Sequence, residues 1–422
     1  MNFSVSSVVL GRWNLYKIND VCANFTSGGT PSRKRSDYYN DGTIPWVKTK
    51  ELVDKVIYET EEHITVEALN NSNAKLLPVN TVLLAMYGGG TVGELGILGV
   101  PAATNQACAA MVVNEEKADY RFLYFLLRNH REAIISLAVG GAQQNLSGTL
   151  IKNLEFHFPP IEVQRAIGQI LYTIDEKIEA NNALSTTLEE IAQSIFRSWF
   201  IDFDPVKAKV AGVKPSGMDA ETLGLLPDSM KESELGLIPN GWEVKLLGDL
   251  VTPKKGKTIT KATCIDGEVP VVAGGLQPAY FHNMANVSQP AITVSASGAN
   301  AGYVRLYLQD IWASDCSFIN SELTETVYFW YLFLVRNQEL LYGMQQGAAQ
   351  PHIYPSDLMR LKLCYPNSSH LVMKFEETVA PLFLEIGTLE RQNELMKSLR
   401  DSLMPRLISG ELQIPEEMVA HD

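Results

Sequence analysis

Apolar residues along the chain fall into two kinds of pattern, and each kind occurs twice. Short β-branched and aromatic runs bounded by Gly, Pro or Asn, at residues 81–87, 110–113 and 291–295, predict strands. Apolar positions at helical spacing over 120–138 and 326–342 predict helices. Behind each mixed stretch the pattern narrows to a seam that alternates steps of four and three. The first seam runs through Ile167, Leu171, Ile174, Ile178, Leu188, Ala192, Ile195 and Trp199, broken by Asn181 and Ser185. The second runs through Phe375, Val379, Leu382, Ile386, Leu389, Met396, Leu403 and Leu407, broken by Asn393 and Arg400. A seam at period 3.5 with charged outer positions is what a coiled-coil partner requires, and polar breaks within it cost stability while fixing register. The narrow seams favour pairing of the two helices, antiparallel, over packing of each on its own domain alone. At 1.5 Å per residue, about 40 residues reach roughly 60 Å.

The repetition extends to the mixed stretches. Residues 13–21 (WNLYKINDV) align with 242–250 (WEVKLLGDL), 43–47 (TIPWV) with 268–272 (EVPVV), and 127–129 (LRN) with 335–337 (VRN). Further on, 141–144 (GAQQ) align with 347–350 (GAAQ), and 154–159 (LEFHFP) with 361–366 (LKLCYP). The second copy therefore has shorter loops around the same order of elements. The expected fold class is α+β: two similar α/β domains separated by two long helices that form an antiparallel coiled coil. Residues 1–158 are read as the first domain, 159–201 as the first spacer helix, and 202–240, rich in Pro, Gly, Asp and Ser, as a linker. Residues 241–366 are the second domain, 367–411 the second spacer helix and 412–422 a tail that frays.

Length agrees with this division, since 422 residues exceed one ordinary core. A 46% hydrophobic share with 20% charged residues belongs to a folded chain and not a disordered one. No apolar run approaches the roughly 20 residues of a membrane span, and the start lacks a basic region and cleavage site. No membrane contact and a cytoplasmic location are expected. The net charge of −13 argues at face value against a nucleic-acid partner. Its distribution weakens that objection: residues 1–155 carry 14 basic against 15 acidic side chains, and 242–365 carry 9 against 10. The acid lies in the helical and linker segments, and a near-neutral domain still has room for a basic face.

The sequence carries no recognisable catalytic or metal-binding motif. Five scattered cysteines and seven unpaired histidines form no metal pattern, so buried free thiols and no metal are expected. No G-x-x-x-x-G-K-S/T or G-x-S-x-G motif occurs. Pro159-Pro160 lies between Phe158 and Ile161 and cannot serve as the loop of an amino-methyltransferase. The glycine cluster at 88–93 lacks a lysine and reads as a turn, and Asp228, Glu232 and Glu234 read as a solvated charge run. A binding protein without cofactor is the better reading.

Two sets of loops are candidates for contact. Thr30, Ser32, Arg33, Lys34 and Arg35, followed closely by Lys48 and Lys50, form a basic set in the first copy; Lys254, Lys255, Lys257 and Lys261 form one in the second. Such cations suit phosphates, although an ordinary solvated loop has the same composition. An amide-rich set precedes the last strand of each copy: Gln143, Gln144 and Asn145, and then Gln345, Gln346, Gln350 and His352. Gln and Asn can pair bidentately with adenine in the major groove, but Gln-rich turns are also structural. Recurrence at one place in both copies favours the contact reading.

Together these features resemble the specificity subunit of type I restriction–modification systems, over essentially the whole chain. The resemblance rests on 196–209 (FRSWFIDFDPVKAK), 159–171 (PPIEVQRAIGQIL) and 237–244 (LIPNGWEV), with GTPS at 29–32 and IPWV at 44–47. It implies a non-catalytic DNA-specificity subunit. Its two target recognition domains would each read one half of a bipartite, asymmetric double-stranded site. The helices would space the halves and dock two methyltransferase subunits, with restriction subunits joining through the complex. A 60 Å helix sets an upper bound of about 18 base pairs between the halves. The second copy departs from the pattern in lacking GTPS and in having NSSH after Pro366. The rival reading is a coiled-coil scaffold that joins proteins without touching DNA; a single-chain methyltransferase is a more distant third.

Overall fold

The computed structural model describes residues 13–415 and 417, except 89, 139–144, 216 and 346–350. The chain divides into two compact units, residues 1–179 with 394–422, and residues 180–393. In the first unit a five-stranded sheet has the order Cys22–Ser27, Cys108–Val113, Val82–Ala85, Leu95–Leu98, Lys55–Ile57, antiparallel except for the last pair. Beside it lie His63–Ile64, Ile44–Val47 and Ala103–Thr104, the last two parallel. A third pair, Asn14–Lys17 with Glu155–Phe158, closes the domain at its two ends.

The second unit repeats this plan. Its larger sheet runs Lys254–Lys255, Cys316–Asn320, Ala291–Ser295, Val304–Tyr307, its smaller one Tyr280–His282, Val269–Val272, Trp312–Ala313, and Glu243–Leu246 pairs with Lys362–Tyr365. The repeat shown by TIPWV and EVPVV therefore holds in register, since Pro45 stands opposite His63 as Pro270 stands opposite Phe281. Among the described residues the edge strand Lys55–Ile57 has no counterpart in the larger sheet of the second unit, where the sequence also has shorter loops.

Each helix expected behind the sheets is broken once. Tyr120–Asn129 and Arg131–Ser136 meet at His130 (φ −103°, ψ 13°), and Val327–Arg336 and Gln338–Gly343 meet at Asn337 (φ −98°, ψ 16°). Both residues sit in the sparsely populated region that ends a helical turn, and Asn337 Nδ2 donates to Phe333 O at 2.7 Å. The linker of the sequence reading is folded: it carries helices Asp204–Val210 and Ala220–Leu225 and a hairpin of Met230–Ser233 with Gly236–Pro239. Phe203, Val206, Leu226 and Ile238, scattered among its turn residues, are buried in the second unit's core.

Two long helices, Ile161–Phe200 and Ser369–Ile408, contribute to both units. In each unit they run antiparallel. In the first, Ile167 and Leu171 from one helix and Leu407 and Ile408 from the other join Phe122, Phe125 and Phe156 in a single core. In the second, Phe196 and Phe200 meet Phe375 and Phe329, with Phe200 and Phe375 edge to face at 5.1 Å. Such pairs add about 0.5–1.5 kcal/mol beyond the area they bury.

The polar breaks in the seam are paired. Asn181 Nδ2 donates to Asn393 Oδ1 at 2.9 Å, and Asn393 Nδ2 donates to Asn182 Oδ1 at 2.9 Å; Asn181 and Asn393 are buried. Arg400 reaches Asp175 (2.5 Å), which also holds Arg128 (2.8 Å), while Asp54 bonds Arg131. This half-buried network ties both long helices to the Tyr120–Asn129 helix of the first unit.

The domain helices are capped by different means in the two units. In the first unit Asp119 caps its own helix, accepting from the Arg121 and Phe122 amides. Buried Gln164 donates to Lys117 O and Pro159 O and accepts from Asp119 N. Gly168 leaves the room, since a Cβ there would stand 2.8 Å from Asp119 Oδ1. In the second unit Thr326 makes no side-chain cap. Glu376, 208 residues beyond Gly168, supplies the carboxylate instead, accepting from Tyr328 N at 2.8 Å and Phe329 N at 2.9 Å.

Burial raises the Glu376 pKa to about 7, outweighing those amides, which lower it. Below about pH 4.5 the group is protonated in both folded and unfolded chains. Between about 4.5 and 7 only the unfolded chain ionises, so the stability from this group falls as pH rises, by a total on the order of 3 kcal/mol. Glu376→Gln is expected to flatten the pH dependence of the melting temperature across this window. A profile that stays as steep as the parent's contradicts the assignment.

Candidate nucleic-acid interface

The basic loop of the first domain is anchored on its small sheet. Gly29 N donates to Thr104 O at 2.9 Å, and the buried Trp46 indole donates to Gly29 O at 3.0 Å. Gly28 is dictated by close approach: a Cβ there would stand 1.8 Å from Thr104 O. The second domain builds the same anchor from other residues. Lys257 N donates to Ala313 O at 2.9 Å, and a Cβ on Gly256 would stand 2.3 Å from Ser314 O. The indole now comes from Trp312, donating to Lys257 O at 2.8 Å. Trp46 lies opposite Ala103 in one parallel pair and Trp312 opposite Val271 in the other, so the tryptophan has changed strands while its bond has stayed. Residues 256–260 thus stand where GGTPS stands in the first copy, although the motif is not retained.

The side chains on these loops differ. Arg33 lies over the rings of Tyr39 (4.4 Å) and Trp46 (4.9 Å) and pairs with Glu62. Lys48 pairs with Glu61 and Glu62, Lys50 with Glu61, and Arg35 with Asp37 and Glu67. Thr30 bonds Gln106, Ser32 is exposed, and Lys34 is exposed with no ion pair among the described residues. Lys254, Lys255, Lys257 and Lys261 are all exposed, and none has an ion pair among the described residues. Lys257 Nζ lies 6.0 Å from the Trp312 ring centroid.

Asn145 and His352, at the described ends of the amide-rich segments, sit beside the glycine turns. Tyr87 bridges Asn145 and Leu146 N donates to Met86 O, while Ser297 bridges His352 and Ile353 N donates to Ala296 O. Asn145 is exposed, Gln345 donates to Ala301 O at 2.8 Å, and His352 stacks on Tyr354. Gln143, Gln144, Gln346 and Gln350 lie outside the described residues. Tyr87, which leads into the glycine cluster that the sequence reads as a turn, is thereby brought against Asn145 of a candidate segment.

Sequence reasoning missed Tyr39, Glu61 and Glu62. Arg33 and Glu62 are 29 residues apart and Lys48 and Glu62 are 14 apart, separations that no periodicity marks. All five cysteines are free, and burial pushes the Cys22, Cys108, Cys316 and Cys364 thiols up to about 12. Among the described residues no group of His, Cys, Asp or Glu is placed to hold a metal, and no helix is long and apolar enough to cross a membrane.

Two copies of one domain, each presenting a differently charged loop on a common anchor, define a duplicated recognition protein. Residues 11–190 and 239–370 match the model of the type I restriction modification DNA specificity domain. The chain belongs to this family and is a non-catalytic specificity subunit of the type I restriction–modification class. It is 27% identical to the type I restriction enzyme MjaIX specificity subunit of Methanocaldococcus jannaschii, covering 96% of this chain and 94% of the relative. It is 25% identical to the HindI specificity subunit of Haemophilus influenzae, over 69% of this chain and 77% of that one. The crystal structure of the type I restriction–modification S subunit from M. genitalium superposes with a TM-score of 0.61 at 17% identity, covering 96% of this chain and 99% of that chain, a likeness of fold.

If the two anchors are equivalent, they fail alike. Gly28→Ala and Gly256→Ala should each destabilise the protein by more than about 3 kcal/mol in urea denaturation, because backbone must move. Tolerance of either substitution contradicts the equivalence.

Proposed function

We propose that this subunit directs a type I restriction–modification complex to a split, asymmetric double-stranded DNA target, each recognition domain reading one half. The first recognition domain is taken as residues 1–158 and the second as 241–366, joined through the spacer helices 159–201 and 367–411. The observation that carries this reading is one scaffold used twice with different contact chemistry: ring-stacked, ion-paired Arg33 on one anchor and, on the other, lysines with no ion pair among the described residues. Identical loops would suit a symmetric site; unlike loops suit unlike halves.

Within that reading, Arg33, Lys34, Arg35, Lys48, Lys50, Lys254, Lys255, Lys257 and Lys261 engage phosphates or guanine edges, with Thr30 and Ser32 beside them. Asn145 and His352, with Gln143, Gln144, Gln345, Gln346 and Gln350, approach bases from the neighbouring segments. Exposed Leu184, Ile191 and Leu384 in one unit, and Leu395 and Leu399 in the other, give the long helices apolar outer positions suited to two methyltransferase subunits. Restriction subunits join through the complex, and the partners carry the methyl donor and ATP. The place of action is the cytoplasm, where the DNA is.

Selection of random duplexes by the chain with its methyltransferase partner, followed by sequencing of the retained fragments, should return a two-part motif with a fixed gap. Recovery of no motif rejects the proposal in favour of a protein scaffold. Lys254→Ala, Lys255→Ala and Lys257→Ala together should make the salt dependence of binding shallower by about 2–3. An unchanged slope removes these lysines from the interface.

A further inference from the structure

The cations of the first domain are held by carboxylates whose own positions are fixed. Trp46 N donates to Glu62 O at 3.0 Å and to Thr60 Oγ1 at 3.1 Å, and Thr60 Oγ1 donates to Glu62 O at 2.7 Å. The Glu51 carboxylate joins the two loops, accepting from Lys48 N at 2.7 Å and Glu61 N at 2.8 Å. On this frame Glu62 takes Arg33 at 2.5 Å and Lys48 at 2.6 Å, and Glu61 takes Lys48 at 2.9 Å and also Lys50. Arg33 is further held over Tyr39 and Trp46, so it keeps its place when its carboxylate lets go.

Among the described residues the second domain lacks this device. By strand register Trp46 faces Glu62 and Val271 faces Tyr280, so Ala279 and Tyr280 occupy the positions of Glu61 and Glu62. The Tyr280 hydroxyl donates to Ile259 O and is no counter-ion.

We propose that Glu61 and Glu62 are specificity-setting residues that act as a tethered competitor for DNA phosphate at Arg33, Lys48 and Lys50. The proposal rests on the reading of this loop as a DNA contact. Binding to random DNA is driven mainly by release of mobile counterions from the polyelectrolyte, and the protein's gain depends on cations free to pair with phosphate. A cation already paired with a fixed carboxylate must break that pair first, and the displaced carboxylate stays nearby and repels the backbone. Only a duplex that adds base contacts offsets this loss. The first domain therefore rejects random DNA more strongly than the second, whose lysines have no such partners among the described residues. Cation pairing holds the Glu61 pKa near 2 and lowers that of Glu62, so both remain charged at physiological pH.

The test compares the full chain with its methyltransferase partner against the Glu61→Gln/Glu62→Gln variant, across a salt series, on a random-sequence duplex and on the selected target. Roughly tenfold tighter binding to the random duplex is expected, with a salt slope steeper by about 2 and a smaller change on the target. Unchanged affinity and slope on random DNA overturn the proposal. If the double variant melts early, Glu61→Gln alone decides, with a slope steeper by about 1 expected. The Arg33→Ala/Lys48→Ala/Lys50→Ala variant separates the two readings. If it weakens binding while the glutamine variants change nothing, the competitor falls and the contact stands; if it leaves all DNA binding intact, both fall.

Discussion

Each recognition domain completes its core with the far end of the other copy's long helix. Leu407 and Ile408 close over Phe122 and Leu171 in the first unit, and Phe196 and Phe200 close over Phe329 and Phe375 in the second. Neither domain would bury its helix Tyr120–Asn129 or Val327–Arg336 fully without this exchange, and an exposed aromatic face of that size invites aggregation. The narrow seam thus has two tasks, pairing the helices and sealing two cores. Its register is fixed by groups that tolerate no slip. A buried Asn181–Asn393 pair and a half-buried Arg400–Asp175 pair each leave unsatisfied polar atoms if one helix moves by a residue.

On this frame the two copies have diverged by exchange of parts. The indole that anchors the basic loop comes from Trp46 on one strand and from Trp312 on its parallel neighbour. The carboxylate that caps the domain helix comes from Asp119 within the domain or from Glu376 on the long helix, with Gly168 where Glu376 would collide. In each case the bond persists while the residue supplying it moves. The frame is held constant and the loops above it are free to change charge, which is the behaviour expected of a part that must read different sequences.

The sequence reading recovered what depends on spacing. The seams and the duplication follow from positions that recur, and Asn181, Asn393 and Arg400 stand out as breaks because they interrupt a period. Pairings across strands were not legible. Glu61 and Glu62 meet Arg33 and Lys48 only because His63–Ile64 pairs with Ile44–Val47, and the missing GTPS motif concealed that residues 256–260 play its part. Residues 202–240 read as a linker because turn formers dominate their composition, yet Phe203, Val206, Leu226 and Ile238 are buried in the second core, with Leu223, Leu225 and Met230 packed against it.

The central claim is that one domain reads one half of the target. It is tested by replacing residues 243–365 with residues 14–158, whose ends pair in the same way, together with Glu376→Gly to make room for Asp119. The sites then methylated in cells carrying the partner subunits are mapped. The account predicts a motif whose two halves are the same sequence, each matching the half contributed by the first domain. A motif with two different halves, as in the parent, would contradict it.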